Sequence, residues 1–177
     1  FRIVPEETTR LAMLTTGEAD IAQVPPSHVR QVEADPNLRI QWSKYTYMRT
    51  LMFYDLAFPD DPSPWSDIRV RKAASYALNR EAICDKILYG GAEPWGDVLA
   101  PYHAGFDPNI EPYPYDPEKA KALLKEAGYP DGFDTILTAN PSAKLPAQAV
   151  QANLKKVGIR AELNIPEHAM WSRMMHQ

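Results

Sequence analysis

The stretch from Trp65 to Gly91 constrains this chain more than any other. It reads as two helices joined at a polar step. Ser66 or Asp67 can cap the first, because a short side-chain oxygen accepts a bond from a free amide of the first turn. Val70, Ala73, Ala74, Ala77 and Leu78 recur at three- and four-residue spacing and make one apolar face. Asn79 interrupts that face and can cap a second helix, with Ile83, Ile87 and Leu88 pointing inward. Gly90 and Gly91 can supply the left-handed exit residue. Cys84, the one cysteine, falls on that second helix as a small buried or half-buried residue, and its being alone excludes an internal disulfide.

The rest of the chain alternates helix and strand signals. Residues 6 to 16 predict a helix with Leu11, Leu14 and Met13 inward, ended by Gly17. Ala19 to Ala22 predicts a short strand, Ser27 to about Glu33 a helix, and Arg39 to Trp42 another strand. Tyr45 to Leu56 is the strongest strand signal. Tyr45, Tyr47, Arg49, Leu51 and Phe53 share one face; Thr46, Met48, Thr50, Met52 and Tyr54 share the other. Neither face is plainly polar, so this strand is expected to be buried on both sides or to line a cleft. Prolines cluster at Pro59–Pro64 and Pro101–Pro117, which reads as loop. Asp116-Pro117-Glu118 then opens a helix, with the cap, the N1 proline and the dipole-compensating acid in order. Ala120, Leu123, Leu124 and Ala127 form its inner face, and Gly128 stops it. Phe133–Ala139, Pro146–Val157 and Ile159–Ile165 follow as strand, helix and strand. That order makes a βαβ unit, which requires a parallel pair and a right-handed crossover.

Several function classes drop out. A chain of 177 residues with net charge −4 and both signs mixed has no basic footprint for nucleic acid. No apolar run approaches the roughly 18 residues of a membrane span. His28, His103, His168 and His176 lack the spacing of metal ligands. Ser75 and Ser142 have no nucleophile-elbow context. Gly90-Gly91 and Gly128 read as helix stops, and Asp60-Asp61 as a solvated loop. No catalytic residue, metal or cofactor is therefore expected. Arg69 and Arg71 are two apart on a helix and point to different faces. Arg69 sits where the helix dipole disfavours a cation, so one of the pair is expected to bridge to carboxylates within its own domain. The aromatic set Tyr45, Tyr47, Trp95, Tyr102, Tyr113 and Tyr115 is more suggestive, since ligand clefts combine aromatic walls with a few polar groups. The chain opens on Phe1 as though a strand were already under way, and Trp171 to Gln177 looks like a helix cut in its middle turns. A piece of a longer protein is expected, so the missing export signal carries no information.

Four blocks resemble one family. They are Leu14-Thr15-Thr16-Gly17-Glu18-Ala19-Asp20-Ile21-Ala22; Trp65 to Gly91, with Ile68-Arg69-Val70-Arg71-Lys72-Ala73 and Ala77-Leu78-Asn79-Arg80-Glu81-Ala82-Ile83; Tyr115 to Ala120 running on to Glu126–Phe133; and Ala147–Leu154 with Val157–Leu163. In order and spacing they resemble the family 5 extracellular solute-binding proteins of peptide-type ABC importers, the family of dipeptide-, oligopeptide- and nickel-binding proteins. The resemblance implies an α/β fold, the mixed-sheet lobe of a two-lobed periplasmic-binding-protein-like (type II) architecture, here incomplete. Residues 1–50 would be the end of the first lobe and the approach to the hinge. Residues 51–177 would be the second lobe, truncated at its C-terminal end. It implies a monomer, periplasmic or held outside the cell as a lipoprotein, that closes on a peptide-like or other small polar solute and delivers it to a membrane permease. Tyr47, Arg49, Trp95 and Tyr102 are the expected ligand contacts, since the loop from Gly91 to Tyr102 borders the ligand in the peptide carriers it resembles. Two departures stand out. Phe53-Tyr54 replaces a frequent Phe-Asn, which puts an asparagine contact in doubt, and Pro64-Trp65 replaces Pro-Phe, which should change only packing. The alternatives are an enzyme built on the same lobe, for instance a hydrolase using His103 with a nearby carboxylate, and a sensor or chaperone-like relative.

Overall fold

A computed structural model describes residues 1–42, 49–53, 63–101, 103–167 and 170. Helix α1 (Glu7–Thr15) buries Leu11, and the short α2 (Val29–Glu33), entered through a 3-10 turn at Pro26–His28, buries Val29 and Val32. Arg10 ties this region together, its guanidinium donating to the carbonyls of Val4, Pro5 and Gln23, each at 2.7 Å.

Helix α3 (Ile68–Ala77) starts at Asp67, whose carboxylate accepts the Arg69 amide at 2.7 Å. Ser66 belongs instead to the preceding 3-10 turn, Pro64–Ser66, which Ser63 caps. Asn79 accepts the Ala82 amide and opens α4 (Arg80–Ala82). The expected second helix lasts only this far in α form. Ile83–Ile87 winds as a π turn, with the Leu88 amide donating to the Ile83 carbonyl at 3.1 Å. Cys84 is buried there, and burial pushes its thiol pKa up. Gly90, at φ +73°, supplies the left-handed exit, its amide closing on Cys84 O at 3.0 Å.

Asp116 caps α5 (Pro117–Glu126) through the Lys119 amide at 2.9 Å. Strand β1 (Phe133–Thr138), helix α6 (Lys144–Lys155) and strand β2 (Ile159–Asn164) follow. The strands are parallel, with Phe133 opposite Ile159 and Thr138 opposite Asn164, as the βαβ order requires. Helix α6 begins two residues before Pro146, which costs nothing because first-turn amides have no intrahelical partner.

The core is shared by α3, α5, α6 and the sheet. Leu124, Leu154, Ile159 and Val70 are its largest fully buried side chains. Helices α3 and α5 meet through Ala73, Ala74, Ala77 and Ala120, all at 0% exposure. Trp65 locks a second layer, its ring between Phe53 (4.9 Å) and Phe133 (5.1 Å) and its indole N–H donating to Thr135 Oγ1 at 3.0 Å. Arg69 does bridge within the domain: its guanidinium pairs with Asp67 and donates to the Glu126 carbonyl at 2.7 Å, joining the start of α3 to the end of α5. Pairing with the cap carboxylate offsets the unfavourable dipole. Arg71 instead donates to the carbonyls of Trp65 and Ser66.

Two expected strands are not formed. Ala19–Ala22 and Arg39–Trp42 are irregular, and Ile21 is 91% exposed. A strand needs a neighbour to bond with; among the described residues β1 and β2 are the strands, and they pair with each other. Most of the Tyr45–Leu56 signal lies outside the described residues. Residues 49–53 are irregular: Leu51 and Phe53 pack on the core, but Arg49, expected on their face, is exposed, and so is Met52 on the other, so this part of the segment is not buried on both sides.

Candidate functional site

The loop that follows Gly91 is built around Asp97. One carboxylate oxygen accepts the Leu99 amide at 3.0 Å, the other the Asp107 amide at 3.0 Å. A short acidic side chain that reaches the amide two residues on makes a local turn; here the same carboxylate also grips the far side of the loop. His103 Nδ1 accepts the Ala100 amide at 3.2 Å, and the His103 amide donates back to Ala100 O at 2.9 Å. Asp107 takes both the backbone and side-chain N–H of Asn109 at 2.9 Å. The ends of the loop meet at Gly96, where a Cβ would collide with the backbone of Ile110 and Glu111. Trp95 stands at this neck, half-buried, its ring edge-on to Phe106 at 5.7 Å and 87°.

Beside it lies a depression of about 440 Å³ lined by Leu78, Asn79, Arg80, Glu81, Pro94, Pro112, Tyr113, Pro114 and Tyr115. Arg80 projects from the first residue of α4 and donates to the carbonyls of Ser75 (2.9 Å) and Tyr113 (3.2 Å). Burial lowers its pKa from the ordinary arginine value. Tyr113 packs edge-on against Tyr76 at 5.0 Å, and the Lys156 ammonium lies 5.9 Å from the Tyr115 ring. What this arrangement can do is hold a small ligand against aromatic and proline surfaces with a few polar groups at the rim.

Of the expected contacts, Trp95 is half-buried against Phe106 at the neck of the loop, and Arg49 is exposed at the start of the segment whose Leu51 and Phe53 enter the core. Tyr45, Tyr47 and Tyr102 lie outside the described residues. Tyr113 and Tyr115 come together at the depression. Sequence reasoning missed Asp97 and Arg80. The Asp97-Val98-Leu99 turn pattern after Gly96 was a usable signal for the first; Arg80, directly after the Asn79 cap, had none beyond its position. Among the described residues, no group of three or more His, Cys, Asp or Glu is placed to hold a metal.

The Asp97 carboxyl is held below the ordinary carboxylate range by the amides it accepts, Asp107 first and then Leu99. A depressed pKa contributes order that is present above the unfolded value and lost as pH falls through the lower folded one. The loop is therefore expected to keep its full order above about pH 4 and to lose it progressively as pH falls further, through the lowered folded value. Amide exchange at Leu99 and Asp107, followed by NMR down a pH series, checks this; protection unchanged to the point of global unfolding would refute it.

The family model described as bacterial extracellular solute-binding proteins, family 5 Middle, matches residues 1–177. The chain belongs to that family. It is 34% identical over 166 residues to heme-binding protein A of Haemophilus influenzae, covering 89% of this chain and 29% of that protein. It is 32% identical over 171 residues to the dipeptide-binding protein of Escherichia coli (strain K12), covering 92% of this chain and 31% of that protein. Among solved structures, the periplasmic binding protein DppA of Helicobacter pylori, in complex with the peptide STSA, superposes with TM-score 0.76 at 30% identity, over 96% of this chain and 33% of that one. The chain thus spans about 30% of the length of these relatives. The α/β fold expected of a family 5 solute-binding protein is the fold found, and the relatives named are binding proteins rather than enzymes. No described helix is long and apolar enough to cross a membrane.

Proposed function

We propose that this chain is part of the substrate-binding component of an ABC importer, which captures a peptide-like or other small polar solute by hinge closure and delivers it to a membrane permease. The supporting observation is the family match along residues 1–177, together with an aromatic residue, Trp95, braced at the neck of a self-bonded loop. In this reading residues 1–50 end the first lobe and 51–177 form most of the second. The protein works outside the cytoplasm, as a monomer and without covalent chemistry. Ligand touching both lobes stabilises the closed state by its differential affinity. Tyr47, Arg49, Trp95 and Tyr102 make the contacts on this part of the chain. The hydrolase alternative loses support at His103, whose Nδ1 is engaged by the Ala100 amide.

Mass spectrometry of solute co-purified with the full-length protein would identify the ligand. With that solute, Trp95→Ala should weaken binding by about 10-fold or more, the usual cost of truncating an aromatic anchor that a ligand covers, while the thermal midpoint of the free protein moves little. Unchanged affinity by calorimetry would remove Trp95 from the site, and a free protein that turns over peptide would remove the carrier reading.

A further inference from the structure

Gly91 carries a second constraint beyond ending the signature helices. Its φ is not in the left-handed region, so backbone geometry does not demand glycine there. Space does. A Cβ at Gly91 would collide with the six-membered ring of Trp42, lying 2.8 Å from Cη2 and nearer still to Cζ3. The Trp42 indole is therefore seated on the bare α-carbon of Gly91, with 42% of the residue still exposed. Gly91 is also held in place by its amide, which donates to Leu88 O at 2.9 Å. The two residues come from different regions: Trp42 follows α2, and Gly91 begins the loop that carries Trp95.

We infer that Trp42 on Gly91 is a latch between the end of the first lobe and the ligand loop of the second, favouring the closed state. This rests on the lobe boundary proposed above. A flat indole on a glycine gives a broad apolar contact with no side chain to reorganise, so it can form and break as one step. Closure that depends on it lowers apparent affinity in proportion when it is lost, because apparent affinity scales with the population of the binding-competent state.

The test uses the full-length, ligand-free protein with one dye on each lobe, read by single-molecule energy transfer. Trp42→Ala and Gly91→Ala should each reduce the closed population about fivefold. The double variant should do no more than either alone, since both remove the same contact. Trp42→Ala leaves Gly91 untouched, so it carries the test even where G91A folds poorly. Two interlobe distances in the wild type that neither variant shifts, or effects that add in the double variant, overturn the latch alone. A single interlobe distance in the ligand-free wild type overturns the latch alone; an interlobe distance that the co-purified solute also leaves unchanged overturns the two-lobed reading and the latch with it.

Discussion

Gly132→Ala is expected to destabilise the α/β core by about 3 kcal/mol or more, read as a lowered midpoint in urea unfolding of the intact protein. Two causes add. Gly132 has φ +72°, and an L-residue forced into the left-handed region loses roughly 1–2 kcal/mol. A Cβ would also fall within the Gly158 carbonyl group and 2.7 Å from its α-carbon. Those atoms are backbone, and they sit where the parallel pair begins, with the Phe133 amide donating to Gly158 O at 3.2 Å. Relief would require the first rung of the sheet to part. Gly128→Ala separates the two causes. Gly128 has φ +91° but nothing within 4 Å of an added Cβ, so it should show the backbone part alone, roughly 1–2 kcal/mol. Equal losses for the two variants would show that the close approach of Gly132 to Gly158 costs nothing.

Leu124→Ala should be nearly as damaging, at about 3–4 kcal/mol. Leu124 is 1% exposed and lies in the cluster with Val70, Leu154 and Ile159. The cost of a large-to-small change has a transfer part and a cavity part, and the cavity part grows when neighbours cannot relax into the space. Here several neighbours are alanines, which have no longer side chain to swing inward. The adjacent Leu123 is only partly buried, so Leu123→Ala should cost about 1 kcal/mol. Denaturant midpoints that rank the two variants the other way would contradict the placement of α5.

The elements most legible in the sequence were those fixed by local chemistry. Asp67, Asn79 and Asp116 each cap the helix their spacing implied, because a cap bonds within a few residues of itself. The βαβ unit was legible for a similar reason: its alternation and its helix are both carried by contiguous residues. Ala19–Ala22 and Arg39–Trp42 failed as strands because pairing is decided by a distant partner that a four-residue pattern cannot reveal. The π turn at Ile83–Ile87 escaped because α and π windings bury nearly the same residues. At the candidate site, the aromatic pattern led to Trp95, but the brace on Phe106 and the grip of Asp97 on Asp107 are contacts across ten or more residues. So too is the seat of Trp42 on Gly91, which depends on a side chain that glycine lacks.

The alanine seam between α3 and α5 has a mechanical consequence. Side chains that end at Cβ let two helix backbones approach closely and leave no rotamers to exchange. Such a seam resists shear and bending on the timescale of collective motion. A body this stiff transmits a push at its rim without absorbing it. Any such push would then be expressed at whatever joint is soft, and little would be lost as internal deformation.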